Sequence, residues 1–303
     1  DGSTSLRSFK VESINGGQLA GFRNYLQNSG FFINQRGQNP LASSNARPYF
    51  VDRWRFCGTS ESAEVSSEAV SELGVKFITI TPGGGGANSG LIQGIELNTQ
   101  GQRAPFIGAA TYTFSFYTTT TETFKVNIAS ADDTAFTNES GAKIFTKGAD
   151  LLEVGTAGSF KRYACSFTID APAASNTCLT VMIYSNTNSQ WSIAAPQLEP
   201  GLVATPFEHR MGELALCQRY YEVTTGGGQV YLQSAQANSD DVARFPVYWK
   251  VTKRATPTVT VTSADTDRRN HSAENVSSNF CLFYSKGPFT QVALATLIAD
   301  AEL

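Results

Sequence analysis

The chain has little charge for its length, and this scarcity narrows the classes of partner it can have. Its 303 residues include 23 Lys and Arg against 26 Asp and Glu, a net charge of −3 at pH 7. Nucleic-acid recognition requires a basic patch or stripe, so we expect no nucleic-acid partner. No apolar run reaches the ~20 residues that span a bilayer, so we expect no membrane insertion. The N-terminal sequence DGSTS also lacks the basic and apolar regions of a signal peptide.

Residue types for nucleophilic catalysis and metal binding are scarce as well. The two histidines, His209 and His271, lie in predicted connections, and no GxSxG motif is present. The five cysteines show neither CxxC spacing nor a neighbouring histidine cluster, so we expect no zinc site and buried free thiols instead. They are Cys57, Cys165, Cys178, Cys217 and Cys281.

Glycoside hydrolysis is the main enzymatic alternative for this sequence. It requires two carboxylates held about 5–10 Å apart across a sugar-binding groove. Asp132-Asp133, Asp240-Asp241 and the pair Glu61 and Glu64 supply candidate acids. Each set lies in a polar stretch rich in Ser, Asn and Thr, where acids usually face water. We therefore predict that the protein is not an enzyme.

Short stretches of alternating apolar and polar residues dominate the chain after residue 28. Tyr112, Phe114 and Phe116 alternate with Thr and Ser, which is the period of a half-buried strand. The same pattern recurs at 124–128, 163–169 and 179–183, and turn-forming clusters separate these stretches. Many short alternating strands predict an all-β fold built as an antiparallel sandwich. For residues 61–72 a weak helix and a surface excursion both fit the pattern.

The stretch Gln197–Glu222 predicts a hinge between two β-rich modules. Pro200-Gly201 is a turn signal, and Thr205 is kept extended because it precedes a proline. The residues from 213 to 221 favour a short amphipathic helix, with Leu214, Cys217 and Tyr221 on its buried face. We therefore predict a connecting segment over 1–27, a sandwich over 28–208, and a smaller β-rich C-terminal module with one short helix over 209–303. The first segment is either a linker or a contact segment of a stalk.

The hinge also carries a family resemblance. Its sequences QLEPGLVATPFE and ELALCQRYYE closely resemble the junction found in bacteriophage tail-fibre and related virion surface proteins. NSGFFINQRG at 28–37, YFVDRW at 49–54 and IADAEL at 298–303 fit the same family. The resemblance implies a carbohydrate-binding-module-like jelly-roll sandwich. It also implies a homotrimer, other virion proteins as partners, and a place in the virion after assembly in the host cytoplasm.

The function that this resemblance implies is non-enzymatic recognition of a host-surface glycan or receptor. The alternative is a purely structural part of a fibre, baseplate or capsid decoration. Sugar binding needs aromatic faces beside amide and hydroxyl groups. The candidates are Trp191 with Gln190 in the sequence NTNSQW, Tyr117 beside a threonine run, and Tyr231 in the second module. Trp191 also fits the alternative that it begins a strand and is buried.

A structural calcium ion is the one cofactor that the resemblance implies. Such sandwiches often hold Ca²⁺ through carboxylate and backbone oxygens. Glu199 in QLE and Asp52 in YFVDRW are the candidate ligands. The alternative is that both acids pair with Arg53 or Arg36, or accept hydrogen bonds from backbone amides.

Overall fold

The chain forms two compact units. The computed structural model describes residues 22–41, 48–57, 62–82, 89–97, 111–119, 123–131, 143–168, 178–185, 187–224, 242–262, 270–286 and 296–302. The sandwich unit comprises Asp1–Phe32, Gln38–Phe50 and Trp54–Met211. The C-terminal unit comprises Gly212–Leu303 together with two short segments, Ile33–Gly37 and Val51–Arg53.

Two six-stranded sheets form the sandwich. Their strands are β1 (Tyr49–Val51), β2 (Trp54–Cys57), β3 (Ser62–Val65), β4 (Phe77–Thr81), β5 (Ser89–Glu96), β6 (Thr111–Thr118), β7 (Phe124–Ala131), β8 (Lys143–Thr146), β9 (Leu152–Ala157), β10 (Phe160–Thr168), β11 (Cys178–Ser185) and β12 (Trp191–Pro200). Sheet I has the order β1-β2-β5-β11-β7-β8, and sheet II has the order β3-β4-β12-β6-β10-β9. The paired strands from β2 to β12 run antiparallel. Strands β5 to β7 and β10 to β12 alternate between the sheets, as in a jelly roll.

Aromatic side chains from both sheets fill the space between them. Alternation along each strand points every second residue inward, and the inward residues of β6 and β7 include the predicted Phe114, Phe116 and Phe124. The Phe116 and Phe124 rings lie 5.2 Å apart edge to face, and Phe124 meets Tyr163 of β10 at 4.9 Å. Such pairs contribute about 0.5–1.5 kcal/mol beyond their buried area. The prediction of an all-β sandwich is confirmed.

The C-terminal unit holds one helix and two small sheets. Its elements are α1 (Glu213–Gln218), β13 (Tyr221–Thr224), β14 (Val242–Tyr248), β15 (Thr258–Thr262), β16 (Asn270–Glu274), β17 (Phe280–Lys286) and β18 (Thr296–Asp300). The sheets have the orders β13-β18-β15 and β14-β17-β16. Trp249, Cys281, Phe283 and Leu297 are buried at the centre of this unit.

The predicted short helix is present but shorter than the pattern indicated. It ends at Gln218, and it buries Cys217 while leaving Leu214 48% exposed. The prediction that Leu214 belongs to the buried face is therefore wrong. With fewer than two turns, the helix turns only its last residues toward the core.

The cysteine prediction agrees with the structure. All five cysteines are free and buried. In the described part of the chain, no helix is long and apolar enough to cross a membrane. Residues 62–65 form β3, so the weak helix pattern over 61–72 does not produce a helix in its described residues.

Candidate functional site

A buried hydrogen-bond network ties the end of β12 to the segment that follows it. The chain turns at Gly201, whose φ of 111° lies in a region that glycine readily adopts. Thr205 then donates its backbone N–H to Oε1 of Glu199 at 2.9 Å and its hydroxyl to Oε2 at 2.5 Å. Gln197 Nε2 donates to the same carboxylate at 2.7 Å. Both oxygens of Glu199 are therefore engaged by the chain itself.

This network is part of a larger set of contacts through which residues 201–207 cover the outer face of sheet II. Thr113 and Ser115 point outward from β6, yet they are 1% and 0% exposed. Thr113 donates its hydroxyl to the Gly201 carbonyl oxygen at 2.7 Å. Arg162 Nη2 donates to Ser115 Oγ at 2.9 Å and to the Thr205 carbonyl oxygen at 2.5 Å. The outer face of sheet II is thus covered here by the protein's own hinge.

The outer face of sheet I has a different character. Cross-strand pairing places Arg55, Ile92, Met182, Asn127 and Ile144 in one row across β2, β5, β11, β7 and β8. Arg55 and Met182 are partly exposed, and Ile144 is 47% exposed. The Oδ1 atom of Asn127 is buried and has no hydrogen-bond partner among the described residues.

Two further side chains extend this row into a mixed polar and aromatic surface. The Arg55 guanidinium lies over the Tyr49 ring at 5.3 Å, and Tyr49 is partly exposed. In the neighbouring row, Lys125 of β7 is paired with Tyr184 of β11, and Lys125 is partly exposed. We call Tyr49, Arg55, Lys125, Asn127 and Met182 the sheet I surface. Sequence reasoning missed it because its members are distant in the chain and only strand pairing brings them together.

The candidate sugar-binding residues do not come together. Trp191 points into the sandwich and is 1% exposed, so no face of its ring is open for stacking. Tyr117 lies on the opposite face of sheet II, is 8% exposed, and packs in an apolar cluster with Phe160. Gln190 is exposed and donates from Nε2 to Thr81 Oγ1 at 2.9 Å. Tyr231 lies outside the described residues.

The burial of Trp191 corrects the expectation of an exposed platform, and the alternative of a core strand residue holds. Its polar, Asn-rich flank suggested a loop, but β12 begins at Trp191 itself, where the ring faces Ile80 of β4 across the pair. The indole Nε1–H has no hydrogen-bond partner among the described residues. The tryptophan therefore contributes packing rather than recognition.

Asp52, the second candidate calcium ligand, also bonds to the chain. In the C-terminal unit, Asp52 Oδ1 accepts from the Gln35 backbone N–H at 2.9 Å, and Oδ2 accepts from Gln35 Nε2 at 2.5 Å. Burial raises the pKa of Asp52, although the Gln35 donors and the nearby Arg36 and Arg53 oppose that shift. Among the described residues there is no group of three or more His, Cys, Asp or Glu that could hold a metal ion.

Two arginines in the same unit share one buried carboxylate. Arg36 Nη2 lies 3.4 Å and Arg53 Nη1 lies 3.7 Å from the oxygens of Glu302, whose side chain is 0% exposed. Arg53 stacks 3.3 Å from the centre of the Tyr220 ring, and Arg36 stacks 3.7 Å from that of Tyr221. Burial raises the pKa of Glu302 despite the two arginines. Arg36 of NSGFFINQRG, Arg53 of YFVDRW and Glu302 of IADAEL thus belong to one cluster.

The two histidines and one of the candidate catalytic acids lie in the described part of the chain. His209 packs edge-on against Phe207 at 5.0 Å, and His271 stacks on Phe283 at 5.5 Å. Glu64 is exposed on β3. The other candidate acids, Glu61, Asp132, Asp133, Asp240 and Asp241, lie outside the described residues.

Known structures include phage and carbohydrate-binding proteins of similar architecture, at low similarity. A tailspike protein 4 enzymatically active domain from bacteriophage CBA120 is 14% identical, with a TM-score of 0.38, over 61% of this chain and 22% of its own. The carbohydrate-binding module TmCBM61, solved with β-1,4-galactotriose, is 16% identical with a TM-score of 0.33, over 59% of this chain and 99% of its own. A cyclase from Fischerella sp. TAU is 10% identical with a TM-score of 0.35, over 59% of this chain and 97% of its own.

The chain spans about a fifth of the tailspike's length, given the 22% coverage. No family model matches the chain, and no curated protein matches it.

Proposed function

We propose that this chain is part of a bacteriophage tail fibre or another virion surface protein, and that it binds a host-surface glycan or receptor without cleaving it. The hinge, the YFVDRW sequence and the C-terminus support the virion assignment through their resemblance to that family. The sheet I surface supports the binding assignment. It combines a tyrosine ring, two partly exposed cations and an apolar thioether around the buried amide of Asn127, on strands of sheet I.

The contrast between the two outer faces is the observation that carries the binding proposal. On sheet II, Thr113 and Ser115 are buried beneath the hinge, and their hydroxyls are bonded to the protein. On sheet I, Ile92, Asn127 and Tyr184 are also buried, but Arg55, Lys125 and Met182 of the same face remain partly exposed. Sugar hydroxyls need donors and acceptors beside an apolar or aromatic surface. The sheet I surface offers these groups on rigid strands, where little ordering is required on binding.

Several copies acting together would strengthen weak single-site binding, because linked sites raise the effective concentration. The resemblance implies three copies in a homotrimer that is joined to other virion proteins. The mass of the protein in solution tests the copy number.

The experiment is binding of the purified protein to a panel of bacterial surface polysaccharides and to intact bacteria. The double variant Arg55→Ala/Lys125→Ala is expected to lose at least about tenfold in affinity, or ~1.4 kcal/mol. Lys161→Ala is the matched control, because Lys161 is an exposed lysine of sheet II that pairs with Glu153. Release of reducing sugar from a bound polysaccharide would contradict the non-enzymatic part of the proposal.

A purely structural role is the second candidate, and one observation favours it. Four residues of the family-like sequences already make contacts within the protein. They are Asp52 and Arg53 of YFVDRW and Gln197 and Glu199 of QLEPGLVATPFE. A folded protein that binds no polysaccharide and no bacterium across the panel would favour this role over the adhesin.

A further inference from the structure

Strand β9 is an edge strand whose residues are exposed along most of its length. It pairs with β10 on one side, and among the described strands none pairs with its other side. All residues from Leu152 to Thr156 are exposed, Leu152 by 60% and Val154 by 53%. An edge of this kind presents backbone N–H and C=O groups to any strand that can lie beside it.

Proteins usually protect such edges with prolines, lysines, bulges or covering segments. The β9 sequence LEVGTA contains neither proline nor lysine. Its register with β10 shifts at one point and leaves Val154 out of the pairing, which is a bulge. Its one charged residue, Glu153, is paired with Lys161 Nζ at 2.9 Å. Apart from the bulge, no described strand or residue type of this kind protects the edge.

The apolar surface of the edge continues onto the outer face of sheet II. Leu152 is paired with Ala164 of β10, and Ser166 lies two residues further along the same face. Ser166 Oγ donates to the carbonyl oxygen of Leu202 at 2.8 Å. Leu202 is 64% and Val203 is 46% exposed. Leu202 is therefore held on β10, the strand that pairs with β9, and Val203 follows it in the chain.

We infer that β9 is a contact between two copies of this chain, in which the two β9 edges pair antiparallel about a two-fold axis. An axis at Val154 sets that residue against its own copy, Leu152 against Thr156, and Glu153 against Gly155. No like charges face each other in this register, and each Glu153 keeps Lys161 as its partner. The register is therefore free of direct charge repulsion between the two strands.

The adjoining apolar residues are needed for this contact to be stable. A specific interface buries about 1,000 Å² or more, which exceeds what a six-residue strand pair covers. The exposed Leu202, held by Ser166 of the neighbouring strand β10, and Val203 are the candidates for this further apolar area. A two-fold contact joins two chains, and in a trimer it doubles the number of chains when its axis crosses the three-fold axis at a right angle.

The test compares the molar mass of the wild type with that of Val154→Lys by light scattering over a dilution series. A lysine on the edge places like charges opposite each other across the axis. The wild type is therefore expected to reach about twice the mass of the variant. Met211→Lys is the control, because Met211 is 95% exposed and lies outside β9 and the patch that adjoins it. It should keep the wild-type mass.

Hydrogen exchange provides a second readout that does not depend on the variant folding. The amides of 152–156 in the wild type should exchange more slowly at high protein concentration than at low concentration. Equal masses for wild type and Val154→Lys throughout the series would overturn the inference. So would exchange at 152–156 that does not change with concentration.

Discussion

Replacing Glu199 by alanine is expected to destabilise the sandwich unit strongly, because the buried carboxylate accepts three hydrogen bonds. Its partners are the Thr205 N–H, the Thr205 hydroxyl and Gln197 Nε2. The side chain is 0% exposed, so water does not replace the lost acceptor. If Glu199 were instead a calcium ligand, a calcium chelator would destabilise the wild type.

The magnitude follows from what each donor does when the carboxylate is absent. The Thr205 N–H loses its acceptor entirely. The Thr205 hydroxyl and Gln197 Nε2 retain weaker contacts with the carbonyl oxygens of Pro206 and Thr205, at 3.5 and 3.3 Å. With about 1–3 kcal/mol for each donor left unsatisfied, the expected loss is about 3–5 kcal/mol. At about 2–4 °C per kcal/mol for a domain of this size, the Tm falls by about 6–20 °C.

The assay is thermal and urea unfolding of the wild type, Glu199→Ala, Thr205→Val and the control Glu64→Ala, each with and without a calcium chelator. Thr205→Val removes one bond to a charged acceptor and should cost about 1.5–3 kcal/mol. Glu64 is an exposed acid of β3, so its removal should leave the Tm nearly unchanged. The reasoning is refuted if Glu199→Ala unfolds like the wild type. It is also refuted if the chelator lowers the wild-type Tm as far as Glu199→Ala does.

Three further outcomes follow from burial. Trp191→Ala should cost about 3–5 kcal/mol in urea unfolding, while the glycan affinity per folded molecule stays unchanged. Glu302 has a raised pKa in the folded state, so the folded chain binds more protons than the unfolded chain above the usual value of 4.5. Its contribution to stability is therefore lost as pH rises through the folded pKa, and Glu302→Gln should flatten that slope in urea unfolding at stepped pH. Burial raises the pKa of Cys165 to about 12 and that of Cys281 to about 11, so mass spectrometry should show little labelling by a maleimide until denaturant is added.

The fold was predictable because its signal is local and repeated. Alternation at Tyr112, Phe114 and Phe116 identified a strand, and the pattern recurs often enough to define an all-β sandwich. The pattern gave the wrong orientation for Leu214, since a helix of fewer than two turns does not develop a full buried face. It also left Trp191 undecided, because the polar loop before the tryptophan looks the same whether the ring turns inward or outward.

The candidate surface was not predictable in the same way. Arg55, Lys125, Asn127 and Met182 come from different strands, and only the pairing order of sheet I makes them neighbours. The β9 edge is a comparable case, since LEVGTA reads as an ordinary strand. Its exposure becomes apparent only once it is known to lie at the end of sheet II.

The family-like sequences and the sheet I surface have different physical roles, because the first make contacts within the protein and the second has exposed side chains. Asp52 holds Gln35, Arg53 stacks on Tyr220 and pairs with Glu302, and Glu199 holds the hinge. Each of these side chains is buried and occupied, so none has a group left to offer a ligand. Residues of this kind hold a fold together, so any ligand specificity has to come from side chains outside these sequences. Variants of Asp52, Arg53 and Glu199 should therefore change stability, whereas variants of the sheet I surface should change binding and leave stability unchanged.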